Sequence, residues 1–547
     1  MNTQNDTGNK KDTQRRIIIA TVLSFIFFIA YDYLYIKPQQ AELQKQQAQE
    51  KTVEVQKNQA PQVQTQTPAV VNNNIASNVP KTNTNSGDIV ATVITNKSII
   101  KIDTLGRIAQ TTLSERQYIT EDGAHIDLFT PIQLRPLELR FADRSVNAEA
   151  FKIPFSASAS VVDVKNGAQK LVLTQKLTST IVTKTLTFYP DGHYDLEVDA
   201  TNGFEYFITP GYRPDVLVDM YADHGAMLKM NDGTLTIVED ESLDNTTTFT
   251  GIKIASAFDR YYTTVFYNFD KSMQVSLMPS NDDSPEIFVH GKDKIFIKGY
   301  MGPKEFVTLE ALHPELTDVI EYGWFTFIAK PMFLMLQYLH NIIGNWGWTI
   351  VALTILIKLI LFPLAHKGMV SMNKLKELAP KIKAMQEKHK GDKQKQSAAM
   401  MELYKKEGAN PMGGCLPILL QIPVFFAIYR VLLNAIELKG AEWMFWIHDL
   451  AEMDPYFILP ILMGATMFIQ QRITPNTIQD PMQKKMFQYL PIIFTFFFLW
   501  FPAGLTLYWF INNLFTVTHQ YYLNKMFERN KAARHEEHIK SKHKKDK

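Results

Sequence analysis

A single lysine stands inside one of the most apolar stretches of this chain of 547 residues. Residues 353–364 read LTILIKLILFPL, with Lys358 in the middle. His366 and Lys367 would mark a membrane surface, so at about 1.5 Å per helical residue Lys358 would lie roughly 12 Å below it. A charge at that depth costs at least a few kcal/mol unless water or a partner reaches it. The lysine could reach the surface with its own stem, but that stem spans only about one helical turn. We therefore expect a water-filled polar recess.

Polar residues in other apolar runs support a recess. Thr354 precedes Lys358 by one helical turn, and Gln421 lies at a similar depth in a second run. No Asp or Glu falls in these runs, so Lys358 is an unpaired cation suited to attract a transient anion. Each polar residue alone more often joins helices than forms a site. The candidate groove residues are Lys358, Thr354, Gln421, Asn512, Asn513 and Thr516.

Six apolar runs are suited to cross a membrane. They are residues 17–36, 346–365, 416–436, 456–471, 489–501 and 503–523. The first follows a basic N-terminus, 1–16, and we expect a retained anchor rather than a cleaved signal peptide, because IAYDYLYI offers no pair of small residues for cleavage. The sequence predicts a polytopic α-helical membrane protein with six spans.

A large polar insert separates the first two runs. Residues 37–87 are rich in Gln, Asn, Pro and Thr and predict a low-complexity linker. Residues 88–316 contain short β-branched segments, with hairpin turns expected at Asn166-Gly167 and Asp191-Gly192, and predict an all-β sandwich. Residues 317–344 predict an amphipathic helix lying in the membrane interface.

The charge distribution orients the spans. Residues 366–415 hold eleven Lys, no Arg and five acidic residues, and their apolar spacing predicts a solvated helical hairpin. The tail, 524–547, is also basic. With six spans, the positive-inside bias places both termini and this hairpin in the cytoplasm and residues 37–344 outside. Residues 345–523 would then form a core of five spans.

Motifs for catalysis are absent from the sequence, so we expect neither an enzyme nor a cofactor or metal site. The HEEH at 535–538 has the wrong spacing for a zinc protease. Cys415 is the only cysteine, which excludes an intrachain disulfide. Two other classes remain open: a transporter of a small anion, which usually shows repeated halves that we do not find, and an envelope scaffold with the β domain as its working part.

Several segments, in this order and spacing, resemble the YidC/Oxa/Alb family of membrane protein insertases in its Gram-negative form. They are GNWGWTI, NPMGGCLPILLQIPVFFAIY, WIHDLAEMDPYFILPILMGATMF, DPMQ and FLWFPAGLTLYWFINNL. The resemblance is specific over about 330–523. Over residues 88–316 the resemblance is limited to the size of the domain and its all-β class.

The resemblance implies an inner-membrane insertase and chaperone that works alone or with the Sec translocon. It implies a hydrophilic groove in the inner leaflet, closed toward the periplasm, with a basic residue that draws in the polar tail of a nascent inner-membrane protein. That residue is commonly arginine in the family, and Lys358 stands at the matching place. The implied substrate slide is Phe425, Met463, Phe497, Tyr508 and Trp509, and Thr354 is also a family substrate contact. The implied partners are the lipid bilayer, the Sec translocon, and the ribosome through the hairpin and basic tail.

Overall fold

Segments in which alternate residues are apolar fold as β-strands in the computed structural model of the chain. In the segment Ile181–Phe188, Val182, Leu186 and Phe188 are fully buried, while the threonines between them are half-buried. Lys184 is also buried on the core side of this strand. Its ammonium group donates hydrogen bonds to the carbonyl oxygens of Gly106 and Leu137 at 2.9 and 2.8 Å. These bonds offset part of the cost of burying a polar group.

The structure describes residues 88–120, 123–130, 133–214, 216, 224–280, 284–389, 392–407, 416–474 and 481–545. The predicted N-terminus, anchor and linker, residues 1–87, lie outside the described residues. Apart from residues 481–487, the described chain forms one compact unit.

Within the described residues, the strands form two sheets. The first sheet has four strands in the order β3-β2-β1-β6, and the second has thirteen, with β4 and β5 at the ends of its main path. Buried residues of both sheets join one hydrophobic core. The all-β class predicted for 88–316 is confirmed, whereas this division into four and thirteen strands was not predicted. The strands are β1 Ile89–Ile94, β2 Ser98–Asp103, β3 Ile108–Leu113, β4 Leu139–Phe141, β5 Ser156–Ala157, β6 Val161–Asp163, β7 Gln169–Lys176, β8 Ile181–Phe188, β9 Tyr194–Ala200, β10 Glu205–Ile208, β11 Gly225–Met230, β12 Leu235–Glu239, β13 Thr247–Phe258, β14 Tyr262–Tyr267, β15 Met273–Pro279, β16 Pro285–Lys292 and β17 Lys294–Pro303.

One of the two predicted hairpins is present and the other is wrong. β8 and β9 pair antiparallel around Asp191-Gly192, where Gly192 has a φ of +90°. At Asn166-Gly167 the chain does turn, but β6 pairs in parallel with β1 and β7 pairs with β8 and β5. This turn therefore passes from one sheet to the other. A turn sequence fixes the local bend, whereas the pairing partner depends on residues far along the chain.

The C-terminal half is helical. Among the described residues, one helix segment, Trp346–Met385, is long and apolar enough to cross a membrane, and three shorter apolar helical segments accompany it: Gln421–Asn434, Ile458–Ile473 and Gln488–Phe498. The count of six spans therefore stays a prediction. The helices are α1 Arg144–Ala150, α2 Phe306–Leu312, α3 Thr326–Ile343, α4 Trp346–Lys388, α5 Lys393–Lys406, α6 Leu416–Asn434, α7 Ile458–Ile473, α8 Pro481–Phe498 and α9 Ala503–Lys545.

The segment predicted as an interfacial helix, 317–344, is helical only from Thr326. Short 3₁₀ turns precede it at Pro314–Val319 and Gly323–Phe325. α3 buries Ala329, Met332, Phe333 and Leu336 against the rest of the protein and exposes large apolar side chains on another face, including Phe327, Tyr338 and Ile342.

α4 runs without a break from the apolar segment into the lysine-rich segment 366–415. α5 packs back against it, so that Leu375, Leu378 and Ile382 contact side chains from α5. The ammonium group of Lys381 lies 2.6 Å from a carboxylate oxygen of Glu407, just after α5. The regularly spaced apolar residues of this segment thus form a small hydrophobic core between α4 and α5.

The β domain docks on the last turn of α6 and on the loop that follows it. The Arg260 guanidinium donates to the carbonyl oxygen of Leu433 at 2.8 Å, and the Phe306 amide at the start of α2 donates to the Glu437 carboxyl group at 3.0 Å. The guanidinium group of Arg430, in the last turns of α6, lies 3.9 Å from the Glu321 carboxylate, just before α3. One end of the helical region is thereby fixed to the β domain.

The docking contact at Glu437 should make stability depend on pH. Burial raises the pKa of Glu437 to about 7 from 4.5, although the Phe306 amide opposes this. In the unfolded chain this carboxyl group ionises near pH 4.5, so the folded state loses relative stability as pH rises from about 5 through 7. Each pKa unit corresponds to about 1.4 kcal/mol, which limits the effect to roughly 3 kcal/mol.

We expect Glu437→Gln to remove this dependence, because glutamine keeps an acceptor for the Phe306 amide and carries no charge. In detergent, the thermal midpoints of variant and wild type should agree near pH 5, and the variant should be the more stable above pH 7. Glu442→Gln, exposed in the same loop, is the matched control and should show no such trend. If the thermal midpoint of the wild type instead rises relative to that of Glu437→Gln as pH increases, Glu437 is not the source of the pH dependence.

Candidate functional site: a polar recess among apolar helices

Lys358 lies on α4 and points its ammonium group toward α9. Its Nζ donates a hydrogen bond to the hydroxyl oxygen of Thr516 at 3.1 Å. One turn earlier, the buried Thr354 hydroxyl donates to the carbonyl oxygen of Ile350 at 2.6 Å, as threonine in an apolar helix commonly does. The sequence places both on one helix face, and the structure turns that face toward α9.

A second hydrogen bond ties α6 to α9. The side-chain amide of Gln421 donates to the side-chain oxygen of Asn512 at 3.0 Å. The Thr516 hydroxyl that accepts from Lys358 donates in turn to the Asn512 carbonyl oxygen at 2.8 Å. Side-chain hydrogen bonds therefore link α4, α6 and α9 at one level.

These polar side chains line two adjoining cavities, which together we call the recess. The first has an empty volume of about 600 Å³, counting the part open to solvent, and is lined by Thr354 and Lys358 among others. The second, about 650 Å³, is lined by Phe425, Trp509 and Asn513 among others. Both cavities share Gln421, Tyr508, Asn512 and Thr516. All six candidate groove residues thus lie on the recess wall.

The recess lies in the half of the helices far from the β domain. Along α6, Gln421 precedes Leu433, which contacts Arg260 of the β domain. Near the start of α9, the backbone amide of Gly504 donates a hydrogen bond to the loop after α6. Asn512 and Thr516 come two to three helical turns later. The polar residues are therefore gathered at the far end of the helical region.

No carboxylate among the described residues forms an ion pair with Lys358. The interaction that the structure gives its ammonium group is the one with Thr516. The described residues also contain no group of three His, Cys, Asp or Glu side chains able to hold a metal ion. Within the described chain, the recess offers a cation and neutral hydrogen-bonding groups.

The five predicted slide residues do not form one surface. Phe425 and Trp509 contact each other edge to face, with ring centroids 5.0 Å apart, and with the buried Tyr508 they line the recess. Met463 on α7 is fully buried, whereas Phe497 on α8 is 59% exposed. The structure therefore brings three of the five to the recess.

Sequence reasoning missed three polar residues at the recess and its far end. Gln470 of α7 lines the second cavity and His519 of α9 lines the first. A ring nitrogen of His366 lies 3.2 Å from one of His519, and Phe362 stacks on His519. Gln470 and His519 both lie inside predicted apolar runs, so the rule that found Gln421 could have found them.

Comparison with known proteins supplies the family. A family model described as 60Kd inner membrane protein matches residues 338–531, and one described as YidC periplasmic domain matches residues 257–335. The membrane protein insertase YidC of Campylobacter jejuni is 51% identical over 525 residues, which cover 95% of this chain and 98% of that protein. Proteins of the same name from Wolinella succinogenes and Helicobacter pylori are 48% and 44% identical, each covering 96% of this chain and 98% of the relative.

The chain belongs to the YidC family. The two family models meet within α3, so the strands before it include part of the family's periplasmic domain and the helices after it belong to the 60Kd inner membrane protein region. Every residue named on the recess wall falls in the latter. The family membership that the sequence motifs predicted is confirmed.

The recess should be reachable by water. In a Cys415→Ser background, we expect Lys358→Cys to react with a charged, membrane-impermeant maleimide added from the side on which the recess opens, because a thiol must be hydrated to ionise and react. Leu359→Cys is the matched control: its side chain is 56% exposed on the outside of α4 and would face lipid, so it should stay unlabelled. Equal labelling of positions 358 and 359 in membranes, or of neither, would argue against a hydrated recess.

Proposed function

We propose that this protein is a membrane protein insertase that takes the polar tail of a nascent inner-membrane protein into the recess while the apolar segment passes laterally into lipid. The observation that carries the proposal is the recess itself: Lys358, bonded to Thr516, lies among neutral polar groups within apolar helices. The names of the relatives point to the same activity. In this proposal the wall replaces part of the water that a polar tail would lose on entering the membrane.

Lys358 would select for acidic tails. A cation in an apolar helix costs about 2.5–3.5 kcal/mol at the membrane centre, and a neutral hydroxyl partner does not neutralise it. An incoming carboxylate would recover part of that cost by pairing with the ammonium group. The role needs a positive charge but not the paired donors of a guanidinium, so lysine can serve where relatives commonly carry arginine.

The reaction would need no nucleotide and no covalent step. Burying a substrate helix in lipid gains about 0.8 kcal/mol for each CH₂ group. The sum over a whole helix exceeds the cost of moving a short polar tail. A negative tail moving outward also gains about 2.3 kcal/mol per charge for each 100 mV of membrane potential. The protein would lower a barrier rather than drive the reaction, which fits a chaperone and not an enzyme.

The orientation follows from the same proposal. With the β domain in the periplasm, the far end of the helices, α5 and the basic tail would face the cytoplasm. There the lysine-rich hairpin of α4 and α5 would receive the ribosome by electrostatic attraction that weakens with salt. The apolar surface of the helices would meet lipid and, for larger substrates, the Sec translocon.

Reconstitution tests the proposal. The full chain in liposomes without nucleotide should insert a single-span substrate with a short acidic N-terminal tail, scored as protection of that tail from added protease. Protection no higher than in liposomes with an unrelated folded membrane protein would reject unaided insertion. The small-anion transporter and scaffold classes predict that second result.

Charge at position 358 should decide the rate for acidic tails. We expect Lys358→Glu to slow insertion of an acidic tail roughly tenfold or more, because an attraction becomes a repulsion of at least about 1.4 kcal/mol. Lys358→Arg should keep most of the rate, and a tail with neutral residues should distinguish the two variants far less. Rates for the acidic tail that are the same in wild type and both variants would remove Lys358 from the mechanism.

A further inference from the structure

Two buried hydrogen-bond donors on the recess wall have no acceptor among the described residues. They are the indole Nε1 of Trp509 and the side-chain Nδ2 of Asn513. Asn513 is only 3% exposed, and both residues line the second cavity of the recess. They stand four residues apart on α9, so they lie on one face of the helix. Folded proteins rarely leave buried donors unpaired, and two in one cavity point to a ligand that accepts hydrogen bonds.

The same cavity is lined by four carboxamide side chains from three helices. They are Gln421 of α6, Gln470 of α7, and Asn512 and Asn513 of α9. Each carboxamide offers two donors and an acceptor without charge. The bond from Gln421 to Asn512 uses only part of this capacity. The other described residues that line this cavity are apolar, aromatic or hydroxyl-bearing, so this part of the wall suits a neutral ligand with donors and acceptors of its own.

We propose that this wall binds the peptide backbone of an extended substrate segment, with Trp509 Nε1 and Asn513 Nδ2 donating to backbone carbonyl oxygens. A peptide group is neutral and carries one donor and one acceptor in every residue. An extended segment among apolar helices can pair these groups only with the wall or with trapped water. The inference rests on the proposed function and adds a second mode of substrate binding. Lys358 would recognise acidic side chains, whereas the wall would hold a segment of any sequence through its backbone.

The test uses a substrate that Lys358 does not favour. Its tail contains only glycine and serine, and the full chain is reconstituted in ester-linked phospholipid liposomes. We expect Trp509→Phe and Asn513→Leu each to slow insertion, and the double variant to slow it about tenfold, because two donors to the backbone are lost. Trp500→Phe is the control, since Trp500 is exposed and does not line the recess.

A stability measurement separates binding from a structural role. Asn513→Leu removes a buried amide nitrogen that has no acceptor among the described residues, so its thermal midpoint should equal or exceed that of the wild type while insertion slows. A midpoint that falls together with the insertion rate would assign Asn513 to helix packing and overturn the proposal.

Ester bonds in place of amides along the tail provide the direct chemical readout. An ester carbonyl is a weaker acceptor than an amide carbonyl, and an ester has no N–H group. The wild type should therefore insert the ester substrate more slowly than the amide substrate, at a rate close to that of the double variant. The double variant should insert both substrates at similar rates. A wild type that inserts both substrates at one rate would contradict backbone binding.

The carbonyl groups of lipid esters have the same accepting chemistry, and liposomes of ether-linked phospholipids exclude them. If the effect of the double variant persists in ether lipids, the acceptor belongs to the substrate. If it disappears there, the donors serve lipid and the proposal is wrong. Failure of the wild type to insert any substrate would instead reject the proposed function, so the two failures are distinguishable.

Discussion

The hydrogen bonds from Lys358 to Thr516 and from Gln421 to Asn512 are the interactions on which the recess depends. In an apolar surrounding a polar side chain must find a protein partner or water, because leaving it unpaired is costly. Both bonds end on α9, so this helix holds α4 and α6 at the level of the recess. The groups that keep the helices together are thus the same groups that make the interior polar.

The two ends of the helical region are built differently as a result. On the side of the recess nearer the β domain, Trp509 contacts Phe425 and Phe498, and Arg260 bonds the last turn of α6. Toward the far end, side chains pair through hydrogen bonds and leave room. A cavity with packed aromatic side chains toward the β domain and polar side chains toward the far end suits a polar segment that enters from the far end.

Much of this could be predicted from local sequence. The β domain follows from short alternating segments, and the recess residues follow from polar side chains in apolar runs, Lys358 above all. What could not be predicted depends on contacts between distant residues. The strand after Asn166-Gly167 joins a different sheet from the strand before it, and the burial of Met463 beside the exposure of Phe497 depends on how α7 and α8 face their neighbours.

The position of a polar tail during insertion tests most directly whether the recess takes up substrate. A photocrosslinking amino acid in the tail of a ribosome-stalled substrate would report its neighbours in the membrane, read by mass spectrometry of the crosslinked peptides. If the tail occupies the recess, the crosslinks should fall on α4, α6 and α9 at the level of Lys358, Gln421 and Asn512. Crosslinks confined to lipid, or to helix surfaces outside the recess, would contradict uptake by the recess.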